Sequence, residues 1–157
     1  MKDKIIEEVN KKNKKEDNKY IVGLGRRKAS VAGVRLYKEG NISWGESVIN
    51  KGEIFVNKIQ AAKYFGENAA KVYTQPLVIS GTENKFSITV KVKGGGKEGQ
   101  LDATVLAISR ALDKFDKEKF HTLLKKKGFL SRDPRVRERR KVGMGGKSRR
   151  RKQSPKR

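Results

Sequence analysis

No cysteine occurs among the 157 residues. That excludes disulfide staples, thiolate zinc sites and cysteine nucleophiles, and it fits a reducing compartment. There is one histidine, His121. A single imidazole with no thiolate to join it makes neither a metal site nor a triad with any acid visible in the sequence, so it is expected on the surface of a helix. The one tryptophan, Trp44, is expected to pack rather than to stack on a base. Apolar runs are short, and none approaches the roughly 20 residues that cross a bilayer. The first residues lack the apolar segment of a secretory signal, and their five acidic residues argue against an uncleaved mitochondrial presequence. A soluble chain with no membrane partner is expected.

What the chain has in excess is positive charge. Its 40 Lys and Arg stand against 17 Asp and Glu, a net +23. Such a field repels itself unless a polyanion neutralises it, so nucleic acid is the first partner expected. Residues 131–157 hold 13 basic and 2 acidic residues, +11; residues 1–19 hold 7 and 5, +2; the remaining 111 residues hold 20 and 10, +10. The length suits one domain with a real core. The expected division is a flexible charged arm over 1–19, a globular α+β RNA-binding domain over 20–130 and a basic extended tail over 131–157.

The arm contains KKNKKEDNK at 11–19, too poor in apolar residues to offset the entropy of ordering. In the tail only Val136, Val142 and Met144 are aliphatic or sulfur-bearing. Self-repulsion is expected to keep it disordered when free. Extended, it reaches up to roughly 90 Å, enough to thread between helices of a large folded RNA. Its arginines suit phosphate forks and stacking on bases.

Within the domain, residues 20–24 and 30–37 read as strands joined by the basic turn Gly25-Arg26-Arg27-Lys28, with Ala32, Val34 and Leu36 on one face. A short strand is predicted at 53–56. Asn57 is predicted as an N-cap, opening a helical run that breaks at Gly66 and stops at Gln75-Pro76. Strands are predicted at 77–79 and 86–92. In the second, Phe86, Ile88, Val90 and Val92 point inward while Ser87, Thr89, Lys91 and Lys93 make an outer, cationic face. A helix then carries the stripe Leu101, Val105, Ile108 and Leu112. A second helix over about 117–126 ends with Gly128 as its C′ residue.

Between the last strand and these helices, Gly94, Gly96 and Gly99 match the dinucleotide fingerprint G-x-G-x-x-G. The fingerprint requires a helix returning to a parallel strand and an acid about 20 residues on to hold the ribose. Here a second helix and the tail follow, and Asp113 and Asp116 sit at helix ends with no strand to aim them. The P-loop spacing also fails, because Glu98 follows Gly96-Lys97 where a Ser or Thr is required, and Lys91 stands five residues before Gly96. No cofactor is expected. Two uses of the glycines stay open and are compatible: a tight strand-to-helix turn, or a backbone cradle for phosphate at a helix N-terminus. Charge alone also fits a basic architectural protein that coats DNA or RNA outside a ribosome.

Three separated motifs narrow these options. Gly25-Arg26-Arg27-Lys28, Gly94-Gly95-Gly96 with Gly99-Gln100, and Gly128-Phe129-Leu130-Ser131-Arg132-Asp133 followed by Glu138-Arg139-Arg140-Lys141 together resemble the small-subunit ribosomal protein nine family, bacterial and organellar type. They run in family order from about residue 20 to residue 157. The resemblance implies an α+β domain of the ribosomal protein S five domain-two-like kind. In it a sheet carries helices on one face, with a left-handed crossover against the usual rule and a long basic C-terminal extension. It implies a structural role without enzymatic activity, metal or cofactor, on the ribosomal RNA of the small-subunit head beside neighbouring head proteins, and not as a homo-oligomer. The ribosome implied is that of a bacterial cytoplasm, a plastid or a mitochondrion.

Expected rRNA-binding residues are Arg26, Arg27, Lys28, Lys91, Lys93, Gly94, Gly95, Gly96, Lys97, Arg132, Arg135, Arg139, Arg140, Lys141, Arg149, Arg150 and Arg151. By the same resemblance Lys156 and Arg157 fall at the anticodon stem-loop of the transfer RNA in the peptidyl site. The family usually ends in Gln, an aromatic, Ser, Lys, Arg. Here Ser154 stands at the aromatic position and Pro155 at the serine, and a proline fixes φ and removes a donor. Residues 41–47 look like an insertion, 143–146 replace a more basic stretch, and 1–19 have no family equivalent.

Overall fold

The computed structural model describes residues 20–40, 42–44 and 47–139. Strands β1 (Tyr20–Arg27) and β2 (Ser30–Tyr37) form an antiparallel hairpin in which Tyr20 faces Tyr37 and Arg27 faces Ser30. The first strand therefore runs three residues past its predicted end. The ladder leaves only Lys28-Ala29 as the turn, with Lys28 at φ 49°. Strands β3 (Ile42–Trp44) and β4 (Ser47–Ile49) make a separate two-stranded ribbon. With β5 (Ile54–Val56), β6 (Ile59–Gln60) and β7 (Ser87–Lys93), the main sheet has the order β1-β2-β7-β5-β6. It is mixed, because β5 and β7 are parallel and the other pairs antiparallel.

Helices lie on one side of this sheet: α1 (Ala61–Phe65), a 3₁₀ turn at Glu67–Ala69, α2 (Ala70–Tyr73), α3 (Gln75–Ile79), α4 (Lys97–Phe115) and α5 (Lys117–Lys126). The α+β class expected from the sequence is the one observed.

Two predicted elements are corrected. Asn57 is not an N-cap: at φ 49°, with Lys58 at φ 70°, it forms the β5–β6 turn. Its side chain clasps β7 instead, Nδ2 donating to the Val92 carbonyl at 3.1 Å and Oδ1 accepting from the Val92 N–H at 3.0 Å. Asparagine favours caps and left-handed turns for the same reason, a short amide that bonds nearby backbone. Residues 77–79 are helical, not extended. Pro76 lies in the first turn of α3, where its missing N–H has no intrahelical acceptor to lose, so it starts a helix where it was expected to end one. Gly66, at φ 97°, does end α1. After α5 the chain closes in a Schellman motif, the Phe129 N–H donating to the Leu124 carbonyl and the Gly128 N–H to that of Lys125.

The core joins Ala32, Val34 and Leu36 of β2, Ile88, Val90 and Val92 of β7 and Val56 of β5 to Ala107, Ile108, Ala111 and Leu112 of α4, with Phe120 and Leu124 of α5 closing one end. Of the predicted stripe, Ile108 and Leu112 are fully buried, while Leu101 and Val105 are only partly so. The closest approach comes from smaller residues. Ala103, Ala107 and Ala111 lie four apart on α4 over Gly23 and Gly25 of β1. A Cβ at Gly23 would sit 2.8 Å from Ala111 Cβ, and one at Gly25 would sit 2.7 Å from the Ala107 nitrogen.

The other side of the helix reaches the outer edge of β1. Arg110 Nη1 donates to the Leu24 carbonyl and Lys114 Nζ to that of Val22, both at 3.0 Å. A further correction concerns the outer sheet face, whose exposed cations gather at one end. Ser87 and Thr89 are 0% and 4% exposed. Ser87 Oγ donates to the Glu39 carbonyl, and Trp44 of β3 stands beside Thr89, Arg35 and Lys91 around a small cavity of about 200 Å³.

Gly25→Ala is expected to lower stability by more than about 2 kcal/mol, because the new methyl meets helix backbone that cannot step aside. Gly33→Ala, with nothing within 4 Å of its added Cβ, should change stability by less than about 1 kcal/mol. Urea denaturation of both variants, followed by circular dichroism, measures the difference.

Candidate nucleic-acid interface

Strand register decides which cations meet. Along the outer face Arg26 pairs with Val31 and Val31 with Lys93; in the next row Leu24 pairs with Gly33 and Gly33 with Lys91. Arg26, Lys91 and Lys93 are exposed at one end of the sheet. The β1–β2 turn adds Lys28, and α4 opens beside it with Lys97.

The glycine segment is what brings the helix start to that end. Gly94 and Gly95 adopt φ 72° and 63°, the left-handed region that side chains rarely enter, and Gly96 is extended at the N-cap. They pack against the hairpin turn: a Cβ at Gly94 would lie 2.5 Å from the Ala29 carbonyl oxygen. Ser30 Oγ and Gln100 Nε2 both donate to the Gly94 carbonyl at 3.1 Å. Of the two uses left open above, the tight turn is thus observed directly. No side chain caps α4, which leaves first-turn N–H groups without an intrahelical acceptor. Among the described residues no strand follows α4; α5 does. The dinucleotide fold that the fingerprint requires is therefore not built from these elements.

Arg27 points the other way. Its side chain is 14% exposed, with Nε 3.2 Å from Asp102 Oδ2 and Nη1 2.9 Å from Asp133 Oδ1. Nη1 also donates to the carbonyls of Asp133 and Arg135. Asp133 in turn receives Arg135 as a fork, Nε at 3.0 Å on Oδ1 and Nη2 at 2.6 Å on Oδ2. Hydrogen bonds from the Arg135 side chain and then from its backbone N–H, reinforced by the charges of Arg135 and Arg27, hold the Asp133 carboxyl well below the usual carboxylate range. A single, largely covered guanidinium thus ties β1, α4 and the segment after α5 together. Arg132 and Arg139 are exposed, and Arg140, Lys141, Arg149, Arg150, Arg151, Lys156 and Arg157 lie outside the described residues.

Comparison with protein-family models matches residues 25–157 to Ribosomal protein S9/S16. The chain belongs to this family. It is a structural constituent of the small ribosomal subunit that binds ribosomal RNA, a non-enzymatic kind of protein. The match of this ribosomal protein begins at Gly25, where the basic turn motif starts, and includes both the glycine segment and the residues that engage Arg27.

Several of these roles escape the sequence. Asp133 sits inside a motif that is legible, yet its attachment to Arg27 spans 106 positions. The available signal was an isolated acid within a strongly basic stretch. His121 does have an acid partner: its Nδ1 lies 2.8 Å from Asp113 Oδ1. The turn between α4 and α5 folds one onto the other, which spacing alone does not reveal. Asp116 is the N-cap of α5, and the Lys119 N–H that it accepts lowers its pKa.

A carboxyl whose pKa is depressed in the folded chain contributes cohesion that is present above its ordinary value of 3.8 and is lost as pH falls toward its own lower value. The Arg27–Asp133 tie therefore holds throughout the neutral range. Asp133→Asn is expected to speed tryptic cleavage after Arg132 and Arg135 several-fold at pH 7, with little change in the melting of the domain. Timed digestion with mass spectrometry measures it.

Proposed function

We propose that the cationic end of the sheet is the seat for ribosomal RNA backbone in the head of the small subunit. Arg26, Lys28, Lys91, Lys93 and Lys97 meet phosphates there, and the Gly94, Gly95 and Gly96 turn with the unfilled first turn of α4 offers N–H donors to one more. The observation that carries this is the strand register, which puts Arg26, Lys91 and Lys93 in adjoining rows beside the helix start. Arg27 serves the interface from within, by setting where the chain leaves the domain.

From that exit, residues 131–157 form the tail that is ordered by RNA. Arg132, Arg135, Arg139, Arg140, Lys141, Arg149, Arg150 and Arg151 follow ribosomal RNA, and Lys156 and Arg157 reach the transfer RNA in the peptidyl site. The excess of 13 basic over 2 acidic residues in this segment supports the assignment, since each neutralised phosphate releases counterions. The globular domain over 20–130 contacts neighbouring head proteins and does not self-associate. Residues 1–19 are a flexible arm. The ribosome is bacterial or organellar.

Replacing Lys91 and Lys93 together by alanine is expected to weaken binding to small-subunit ribosomal RNA and to make its log–log salt dependence shallower by about 2, at roughly 0.9 per duplex phosphate contact. Filter binding across a salt series reads both; an unchanged slope would remove the sheet end from the interface. Deleting Lys156 and Arg157 should leave incorporation into subunits nearly intact while lowering peptidyl-site transfer RNA affinity. Equal transfer RNA affinity in the two forms would rule that contact out.

A further inference from the structure

Behind the cationic end, between α2, α3, α4 and the chain after α5, lies a groove of about 380 Å³. Its apolar lining is Val72, Val105, Leu106 and Phe129, and Phe129 is brought there by the left-handed Gly128 of the Schellman motif. Gln75 and Ser131 add neutral polar groups. Arg27 with its partners Asp102, Asp133 and Arg135 makes a charged wall, and Arg26 completes the lining.

We propose that this groove seats one nucleobase splayed out of the ribosomal RNA, a proposal that rests on the RNA-binding reading above. The volume falls within the range of small-molecule sites, which suits a single ring system rather than a partner helix. The two carboxylates of the wall already engage Arg27 and Arg135, so these guanidiniums are not poised to clasp a phosphate inside the groove, whereas a base is uncharged and flat. Its faces meet Phe129 and the aliphatic floor, and its edge meets Gln75, Ser131 and the half-exposed Asp102 carboxylate. An ionised carboxylate only accepts hydrogen bonds, so the seat favours a base with an exocyclic amino group over uracil. Arg26 belongs both to this lining and to the outer cationic row. An RNA strand whose phosphates lie along that row therefore passes the groove. Unstacked bases held on aromatic side chains are the usual way in which single-stranded RNA is recognised.

The test uses the full chain with small-subunit ribosomal RNA. Val72 is 40% exposed, so Val72→Trp fills the groove from its surface side. It should lower affinity roughly five- to a hundred-fold, the effect of one lost base stack, with the salt slope unchanged because no phosphate contact is removed. Chemical probing of base edges should show one unpaired adenine, cytosine or guanine protected by the native chain and reactive again with Val72→Trp. Gln75→Ala, at an exposed position, should reproduce part of that return in reactivity and guards against misfolding of the larger substitution. Native affinity and footprint in both variants would overturn the seat while leaving RNA binding intact. A native chain with no footprint at all would instead fail the RNA-binding reading. Benzoylphenylalanine placed at Phe129 and photolysed in assembled small subunits would also overturn it if it captured a neighbouring protein rather than RNA.

Discussion

The contact between helix α4 and strand β1 at Gly23 and Gly25 determines where the other parts of the molecule lie. With no side chain on those two residues, the backbone of the helix comes against the backbone of the strand across Ala103, Ala107 and Ala111. At that separation Asp102 reaches Arg27, and Arg110 and Lys114 reach the β1 carbonyls. The N-terminus of the helix also lands beside the hairpin turn, where Ser30 and the glycine segment lock together. A bulkier strand residue would lift the helix and lose all of these at once.

A chain of net charge +23 has few acids with which to organise itself, and five of the described ones hold backbone or basic side chains in place. Asp102 and Asp133 hold Arg27, Asp113 meets His121 across the α4–α5 corner, and Asp116 caps α5. Glu53 accepts the Asn50 N–H in the turn that leads into β5. The lysines of the sheet end face outward and take no part in these ties. This separation lets the domain have a defined shape despite its field.

Much of this was legible in advance, for identifiable reasons. The alternation of Ala32, Val34 and Leu36, and of Ile88, Val90 and Val92, is a direct imprint of a half-covered sheet, and every one of these residues is buried. Gly66 and Gly128 mark helix ends because only glycine enters their conformations easily. Elsewhere one residue type served two conformations. Asn57 suits a cap or a turn, and the apolar triplet Leu77-Val78-Ile79 is too short for periodicity to separate strand from helix. The stripe on α4 was incomplete because a search for large apolar residues passes over alanines, which here make the tightest contact. Register-dependent features, the rows of cations and the Arg27 tie, depend on pairings many residues apart and could not be assembled from local pattern.

The two basic side chains that cover β1 have a consequence for the protein's life before it meets RNA. An outermost strand with bare carbonyls is a template on which a second chain can add a strand of its own. Here that rim is occupied by Arg110 and Lys114, and the opposite rim, β6, is only two residues long. Newly made copies are thereby discouraged from zipping together edge to edge while they await assembly.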